Sequence, residues 1–167
     1  MVSFLYYQIR NMIRDWRLSL PIIAIVLLWV HLVAGFAQGY AFNMTESVEG
    51  KIFKIREDLP VERGSIVIFP WSDPILPDGV EHMTKHVMCL PGDMLERRGL
   101  VFYCNGNRIT EAKSHTRSGD PLTLFNWDVG RIPDGVFFAA TPHPDGYDSR
   151  YYGFVPLASA KVLERTL

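Results

Sequence analysis

The chain has 167 residues, of which 48% are hydrophobic, and its formal net charge is −1. This length predicts one domain, and the absence of a basic patch argues against a nucleic-acid partner. Residues 1–17 are aromatic and basic, with apolar residues at helical spacing. They predict a short interfacial helix on the cytoplasmic side of a membrane, and the alternative is that they extend the apolar segment that follows.

Residues 18–37 are apolar and carry no formal charge. As a helix they would be about 30 Å long, the thickness of the hydrocarbon core of a bilayer, which predicts one transmembrane anchor. Three arginines lie within residues 1–17, so the positive-inside bias places the N-terminus in the cytoplasm and residues 38–167 outside it. A cleaved signal peptide is the alternative, because residues 35–37 resemble a cleavage site; apolar cores of signal peptides, however, span only about 7–15 residues.

The remaining residues have the pattern of β-structure, since short β-branched and aromatic runs alternate with Gly, Pro, Asn and Asp. Asn105-Gly106 directly follows one such run and predicts a tight hairpin turn. We therefore predict a mainly β domain with antiparallel sheets. The candidate strands are KIFKI (51–55), SIVIF (65–69), KHVMCL (85–90), LVFYC (100–104), GVFFAAT (135–141) and a strand within FVPLASAKVLER (154–165).

Thr45 and Ser47, in the sequence FNMTES, are candidate catalytic residues. In an extended segment, residues two apart point to the same side, so the Thr45 hydroxyl and the Ser47 backbone N–H can together form an oxyanion hole. The alternative is a polar tether between the helix and the domain. A serine nucleophile needs a base, and none of the five histidines has a recognisable Ser/His/Asp context. His82 and His86 are four apart but lack a third ligand, so we predict no metal site.

Lys85 is the candidate base. It opens the apolar run KHVMCL, where burial would disfavour its ammonium form and lower its pKa. A surface lysine at a strand end is the alternative. Asp148 and Arg150, in YDSRYYGFVP, are candidates for a charge-assisted pair that holds a loop, a role that requires burial.

Cys89 and Cys104 are the two cysteines of the chain, and both lie in the part predicted to be exported. An oxidising compartment permits a disulfide, and two free buried thiols are the alternative. The two residues lie on two predicted strands joined through PGDMLERRG (91–99), which favours the bridge.

The order of these motifs resembles the type I signal peptidase family, whose catalytic pair is serine and lysine. With its Asn-x-Thr-x-Ser motif and its small domain, the chain is most similar to the TraF-type conjugative-transfer peptidases. The resemblance implies that Ser47 is the nucleophile and Lys85 the general base. It further implies that Thr45 is the oxyanion partner and that Asp148 and Arg150 are a supporting pair. The segments that carry it are NMTES (43–47), RGSIVIF (63–69), TKHVMCLPGDML (84–95) and YDSRYYGFVP (147–156).

Three positions depart from the family pattern. Val48 stands where proline often follows the nucleophile, and Ser65 replaces the aspartate of an Arg-Gly-Asp motif. Gly146 stands where many relatives have a serine that orients the lysine. Ser149 or a backbone carbonyl is the candidate replacement for that serine.

The resemblance implies a membrane-anchored serine endopeptidase with an antiparallel β-sheet catalytic domain of signal-peptidase type. Its partners would be precursors with signal or leader peptides, a pilin subunit foremost, and the lipid bilayer. It implies the bacterial inner membrane, with the catalytic domain in the periplasm, and no cofactor. A linear and a cyclic product are both compatible with the chemistry. The alternatives are a housekeeping signal peptidase and a non-catalytic β-domain subunit of an envelope secretion complex.

Overall fold

The computed structural model describes residues 16–42, 48–76 and 79–166, and the chain divides into two compact units, Met1–Tyr40 and Ala41–Leu167. The first unit contains helix α1, Trp16–Gln38. Side chains at residues 20–35 of this helix are exposed, and most of them are apolar. Within the described residues, no helix has the length and apolar character needed to cross a membrane. The anchor at residues 18–37 remains a prediction.

Strands make up most of the regular structure in the second unit. A four-residue helix, α2 (Ser149–Tyr152), and a 3-10 turn, Leu157–Ser159, complete it. The strands in the described residues are β1 (Tyr40–Phe42), β2 (Ile52–Arg56), β3 (Ile66–Pro70), β4 (His82–Cys89), β5 (Met94–Arg98), β6 (Val101–Cys104), β7 (Asn107–Glu111), β8 (Val129–Arg131), β9 (Val136–Ala140), β10 (Val155–Pro156) and β11 (Lys161–Arg165).

These strands form two sheets. The larger has seven strands in the order β1-β2-β11-β3-β4-β9-β10, and the smaller has four in the order β7-β6-β5-β8. All pairings from β2 to β10 in the larger sheet and all pairings in the smaller sheet are antiparallel. The predicted mainly β, antiparallel architecture is therefore confirmed. Strand β11 lies between β2 and β3, so it is an interior strand of the larger sheet and not an edge strand.

The turn between β6 and β7 has the conformation that its sequence favours. Asn105 and Gly106 both have positive φ, 49° and 81°. The strand residues on either side, Cys104 and Asn107, pair directly. A two-residue loop with positive φ at both positions matches the right-handed twist of the flanking strands, which explains the preference for Asn-Gly.

Strand β9 is the centre of the hydrophobic core because both of its faces are buried. Phe137 and Ala139 belong to a cluster with Val67 and Val87. The alternate residues, Phe138 and Ala140, belong to a second cluster that includes residues of the smaller sheet. Burial on both faces explains why this strand is a continuous apolar run.

Cys89 and Cys104 are joined as a disulfide, with Cα atoms 5.8 Å apart. A β-bulge lies between Val87 and Cys89, and Cys89 belongs to the second core cluster, whereas Val87 belongs to the first. Because Cys89 ends β4 and Cys104 ends β6, the bridge connects the larger sheet to the smaller one.

Some elements differ from the predicted ones. Strand β4 begins at His82 and not at Lys85, so Lys85 is in the strand interior. The connection PGDMLERRG contains β5, whose charged residues Glu96, Arg97 and Arg98 concealed the strand pattern. The short helix α2 was also not predicted, since four residues are too few for a helical period.

Candidate active site

Two of the predicted site residues, Ser47 and Thr45, lie outside the described residues, as does Asn43. Their roles therefore remain predictions. The described chain resumes at Val48, whose side chain is 3% exposed and belongs to the core cluster around Phe53.

Lys85 is 4% exposed, although it carries an amine. Burial alternates along β4, so Lys85 lies on the same inward face as Met83 and Val87, both members of an apolar cluster. Burial lowers the pKa of Lys85 below its usual value; Asp148 opposes this shift and Arg150 adds to it. A lowered pKa increases the fraction of the amine that is neutral at a given pH, and the neutral amine is the form that can accept a proton.

Asp148 and Arg150 form an ion pair whose side chains are 0% and 1% exposed. Nε of Arg150 donates to Oδ1 of Asp148 and Nη2 donates to Oδ2, both over 2.7 Å. The same guanidinium also donates to the backbone carbonyls of Glu111, His143 and Gly146. Burial of two charges is tolerated because the pairing is bidentate and the other guanidinium donors are hydrogen-bonded.

The ion pair is hydrogen-bonded to the backbone of Thr141, the residue that follows strand β9. Oδ2 of Asp148 accepts a hydrogen bond from the backbone N–H of Thr141 over 3.1 Å, and Oδ1 accepts one from the N–H of Arg150 and thereby caps α2. Oγ of Ser149 accepts a hydrogen bond from the N–H of Ala139 over 2.9 Å. These contacts hold the loop between β9 and α2 in place. The predicted orienting role of Ser149 towards Lys85 is not tested by them.

Gly146 has no room for a side chain. An added Cβ would lie 2.0 Å from Cγ2 of Thr141 and 2.9 Å from Nη2 of Arg150. The serine that the family pattern leads one to expect here therefore does not fit this loop without movement of its neighbours. Sequence reasoning did not single out Thr141, which is fully buried. The sequence gives only a slight indication of a role for Thr141, namely that it is the one residue with a hydroxyl group in the run GVFFAAT.

A cavity of about 440 Å³ adjoins the same loop. Asp145 at its rim pairs with Lys113 and Arg117. Tyr147 donates a hydrogen bond from its hydroxyl to Oδ2 of Asp73 over 2.8 Å, and desolvation raises its pKa. The lining residues in the described chain are Ile75, Leu76, Lys113, His115, Thr116, Arg117, Leu122, His143, Pro144, Asp145, Gly146, Tyr147 and Tyr151.

Potential metal ligands come together at one place in the described residues. One donor atom each of Cys89, Asp93 and Cys104 lies within 4.8 Å of the others. The two sulfurs are bonded to each other and are not available as thiolates, the form in which cysteine binds zinc. His82 and His86 lie on the face of β4 opposite to Lys85.

The chain is similar in sequence to known proteins over most of its length. The family described as signal peptidase, peptidase S26, matches residues 12–163. The conjugal transfer protein TraF of Agrobacterium tumefaciens (strain 15955) is 26% identical over 148 residues, which cover 79% of this chain and 84% of that protein. The probable conjugal transfer protein TraF of Sinorhizobium fredii (strain NBRC 101917 / NGR234) is 24% identical over 141 residues, which cover 75% and 74%.

A crystal structure of a signal peptidase I from Enterococcus faecalis V583 is also similar, with a TM-score of 0.41 and 28% identity; the match covers 62% of this chain and 96% of that one. The family match includes Lys85 and the Asp148–Arg150 pair, and it confirms the family predicted from the motifs. Because it spans most of the sequence, this chain belongs to the signal peptidase family, peptidase S26.

Proposed function

We propose that this chain is a membrane-anchored serine endopeptidase that removes signal or leader peptides from precursors of a conjugative secretion system, a pilin subunit foremost. The observation that carries the proposal is the buried amine of Lys85 in a member of the signal peptidase family. The conjugative substrate class is supported by the two relatives, which are described as a conjugal transfer protein and a probable one.

In the proposed mechanism, neutral Lys85 takes the proton of Ser47 as the serine Oγ attacks the scissile carbonyl carbon. The Ser47 backbone N–H and the Thr45 hydroxyl stabilise the resulting oxyanion. Protonated Lys85 then gives the proton to the leaving amine, which leaves an acyl group on Ser47. Lys85 next activates a water molecule that releases the linear product, whereas an incoming amine in place of water gives a cyclic one.

The buried ion pair supports this assignment of the base. A lone carboxylate at Asp148 would stabilise the ammonium form of Lys85 and so hold its proton. Arg150 acts in the opposite direction on the same lysine. With both charges present, burial is the largest influence on Lys85, and its pKa lies below the usual value for lysine.

We also propose that α1 holds the catalytic domain at the periplasmic face of the inner membrane. Exposed apolar side chains along residues 20–35 support membrane attachment, since large exposed apolar surfaces mark sites of membrane or protein contact. The arginines within residues 1–17 favour a cytoplasmic N-terminus. The disulfide between Cys89 and Cys104 is consistent with an oxidising compartment.

Co-expression with candidate pilin precursors, followed by intact-mass analysis, tests the proposed function. The wild-type chain should shorten a precursor by its signal peptide, and the Ser47→Ala variant should leave it intact. A cyclic product would be lighter than the linear one by one water molecule. Equal cleavage with and without Ser47 would contradict the nucleophile assignment. Cleavage of many unrelated exported precursors would instead support a housekeeping signal peptidase.

A further inference from the structure

The register of strands β4 and β9, continued past the end of β9, places Thr141 beside Lys85 on the inner face of the larger sheet. Strands β4 and β9 pair His86 with Ala140 and Val87 with Ala139. The same antiparallel register, extended by one residue, brings Thr141 opposite Lys85. Side chains that are directly opposite emerge on the same face, with Cβ atoms about 4.5–5.5 Å apart.

The two core clusters support this placement. Phe137 and Ala139 belong to one cluster, and Phe138 and Ala140 belong to the other. By the period of two, Thr141 continues the row of Phe137 and Ala139. That row faces the same cluster as Met83 and Val87, the neighbours of Lys85 on β4.

The loop after β9 holds the Thr141 side chain in one orientation. Its methyl group occupies the space that a Cβ at Gly146 would need, because the two positions are 2.0 Å apart. Its Oγ1 accepts a hydrogen bond from the N–H of His143 over 3.2 Å, and its own N–H donates to Asp148. A threonine has few χ1 states, so contacts at both the methyl and the hydroxyl fix the direction of Oγ1.

We propose that Thr141 is a positioning residue, whose Oγ1 accepts a hydrogen bond from Nζ of Lys85 and turns the amine lone pair towards the Ser47 hydroxyl. A hydroxyl oxygen has two acceptor lone pairs, so it accepts from His143 and from Lys85 together. The assignment rests on the proposed function of Lys85 as general base. It also explains why Gly146 is compatible with activity: the hydroxyl comes from the residue that follows β9, and the methyl beside it requires a glycine.

The hydrogen bond has a consequence for the titration of Lys85. Two charged groups after β9, Asp148 and Arg150, act on Lys85. On β3, the residue opposite Lys85 is the apolar Val67. On β4 itself, the titratable neighbour of Lys85 is His86. A hydroxyl oxygen binds an ammonium group more strongly than an amine. Removal of the Thr141 hydroxyl therefore lowers the pKa of Lys85 further.

The test compares three variants of the full-length protein in detergent micelles. Thr141→Val removes the hydroxyl and keeps the shape, whereas Thr141→Ser keeps the hydroxyl. Thr110→Val is the matched control, since Thr110 is also buried and donates its hydroxyl to the carbonyl of Thr141. Cleavage of an internally quenched peptide with Ala-x-Ala before the scissile bond gives kcat and KM against pH. NMR of ¹³C-labelled lysine follows the titration of Lys85 without substrate.

Thr141→Val should lower kcat by about 10²-fold, the usual effect of a misplaced reacting group, with KM unchanged. Its Lys85 titration and the acidic limb of its pH–rate profile should both move to lower pH. Thr141→Ser should recover most of the lost kcat, and Thr110→Val should keep the wild-type titration. If Thr141→Val does not fold, Thr141→Ala gives the same comparison.

A wild-type kcat and a wild-type Lys85 titration in the folded Thr141→Val protein would overturn the proposal. The same holds for an equal loss in Thr141→Val and Thr141→Ser, because the hydroxyl would then not be the group that matters. Failure of the wild-type protein to cleave any precursor or peptide would contradict the proposed function alone. The Lys85 titration would still decide whether Thr141 binds the amine.

Discussion

Asp148→Asn should destabilise the protein strongly, because it leaves a buried guanidinium without its counter-charge. The Arg150 side chain is 1% exposed, and two of its hydrogen bonds, both 2.7 Å long, go to the Asp148 carboxylate. Hydrogen bonds to charged groups contribute about 1.5–3 kcal/mol each. Asparagine keeps one acceptor oxygen but loses the charge and the second acceptor, and removal of one charge of a buried ion pair lowers the free energy of unfolding by about 3–5 kcal/mol.

Urea denaturation followed by the fluorescence of Trp71 and Trp127 measures this effect. With a slope of about 2 kcal/mol per molar urea, the midpoint should fall by roughly 2 M. Glu57→Gln is the matched control, since it removes an ion pair with Lys161 in which the side chains are 70% and 54% exposed. An exposed pair contributes at most about 1 kcal/mol.

The activity of Asp148→Asn should fall in proportion to the folded fraction, and it should recover at a temperature where the variant is fully folded. A midpoint no lower than that of Glu57→Gln would contradict this expectation, because the buried pair would then add no more than a surface pair. Full stability combined with lost activity would point to a direct role of Asp148 in the chemistry.

Removal of the disulfide, by Cys89→Ser with Cys104→Ser, should lower the free energy of unfolding by about 3 kcal/mol, because the unfolded chain is no longer restricted by a 15-residue loop. Thermal melts measure this loss. Alkylatable thiols in the exported wild-type protein would contradict the bridge. Lys85→Met should raise the melting temperature at pH 7. The pKa of Lys85 is lower in the folded protein than in the unfolded chain, so the folded state disfavours the ammonium form. The free energy of unfolding of the wild type therefore falls as the pH decreases from the lysine pKa of the unfolded chain to that of the folded protein. The difference between the melting temperatures should shrink towards pH 10. Gly146→Ala should destabilise by about 1–3 kcal/mol in urea, because its Cβ would collide with Thr141; a wild-type midpoint would show that the loop yields freely.

The strands that the sequence predicted are those with a strong apolar pattern. Strand β9 is a continuous apolar run because both faces are buried, and the β6–β7 turn follows from Asn-Gly. Strand β5 was missed because only Leu95 of its five residues is fully buried. The remaining positions are partly or fully exposed, and exposed positions carry little strand signal.

The candidate site was only partly predictable for a similar reason. Lys85, Asp148 and Arg150 were candidates from their sequence context and from the family motifs, but their burial depends on tertiary packing. An Asp and an Arg two residues apart are usually exposed, and no sequence period distinguishes a buried pair from a surface one. The contact between Thr141 and Gly146 arises from the closure of the loop after β9, which a strand or helix pattern does not encode.

Lys85 is proposed as the base that activates Ser47. Precursor cleavage by the purified full-length Lys85→Ala and Lys85→Arg proteins, each checked for folding by its thermal melt, tests this role directly. Both variants should be folded and inactive, since alanine has no basic group and a guanidinium stays protonated at working pH. The wild-type rate should rise with pH through the lowered pKa of Lys85. Full cleavage by Lys85→Ala would contradict the mechanism, and a histidine would then have to be considered as the base.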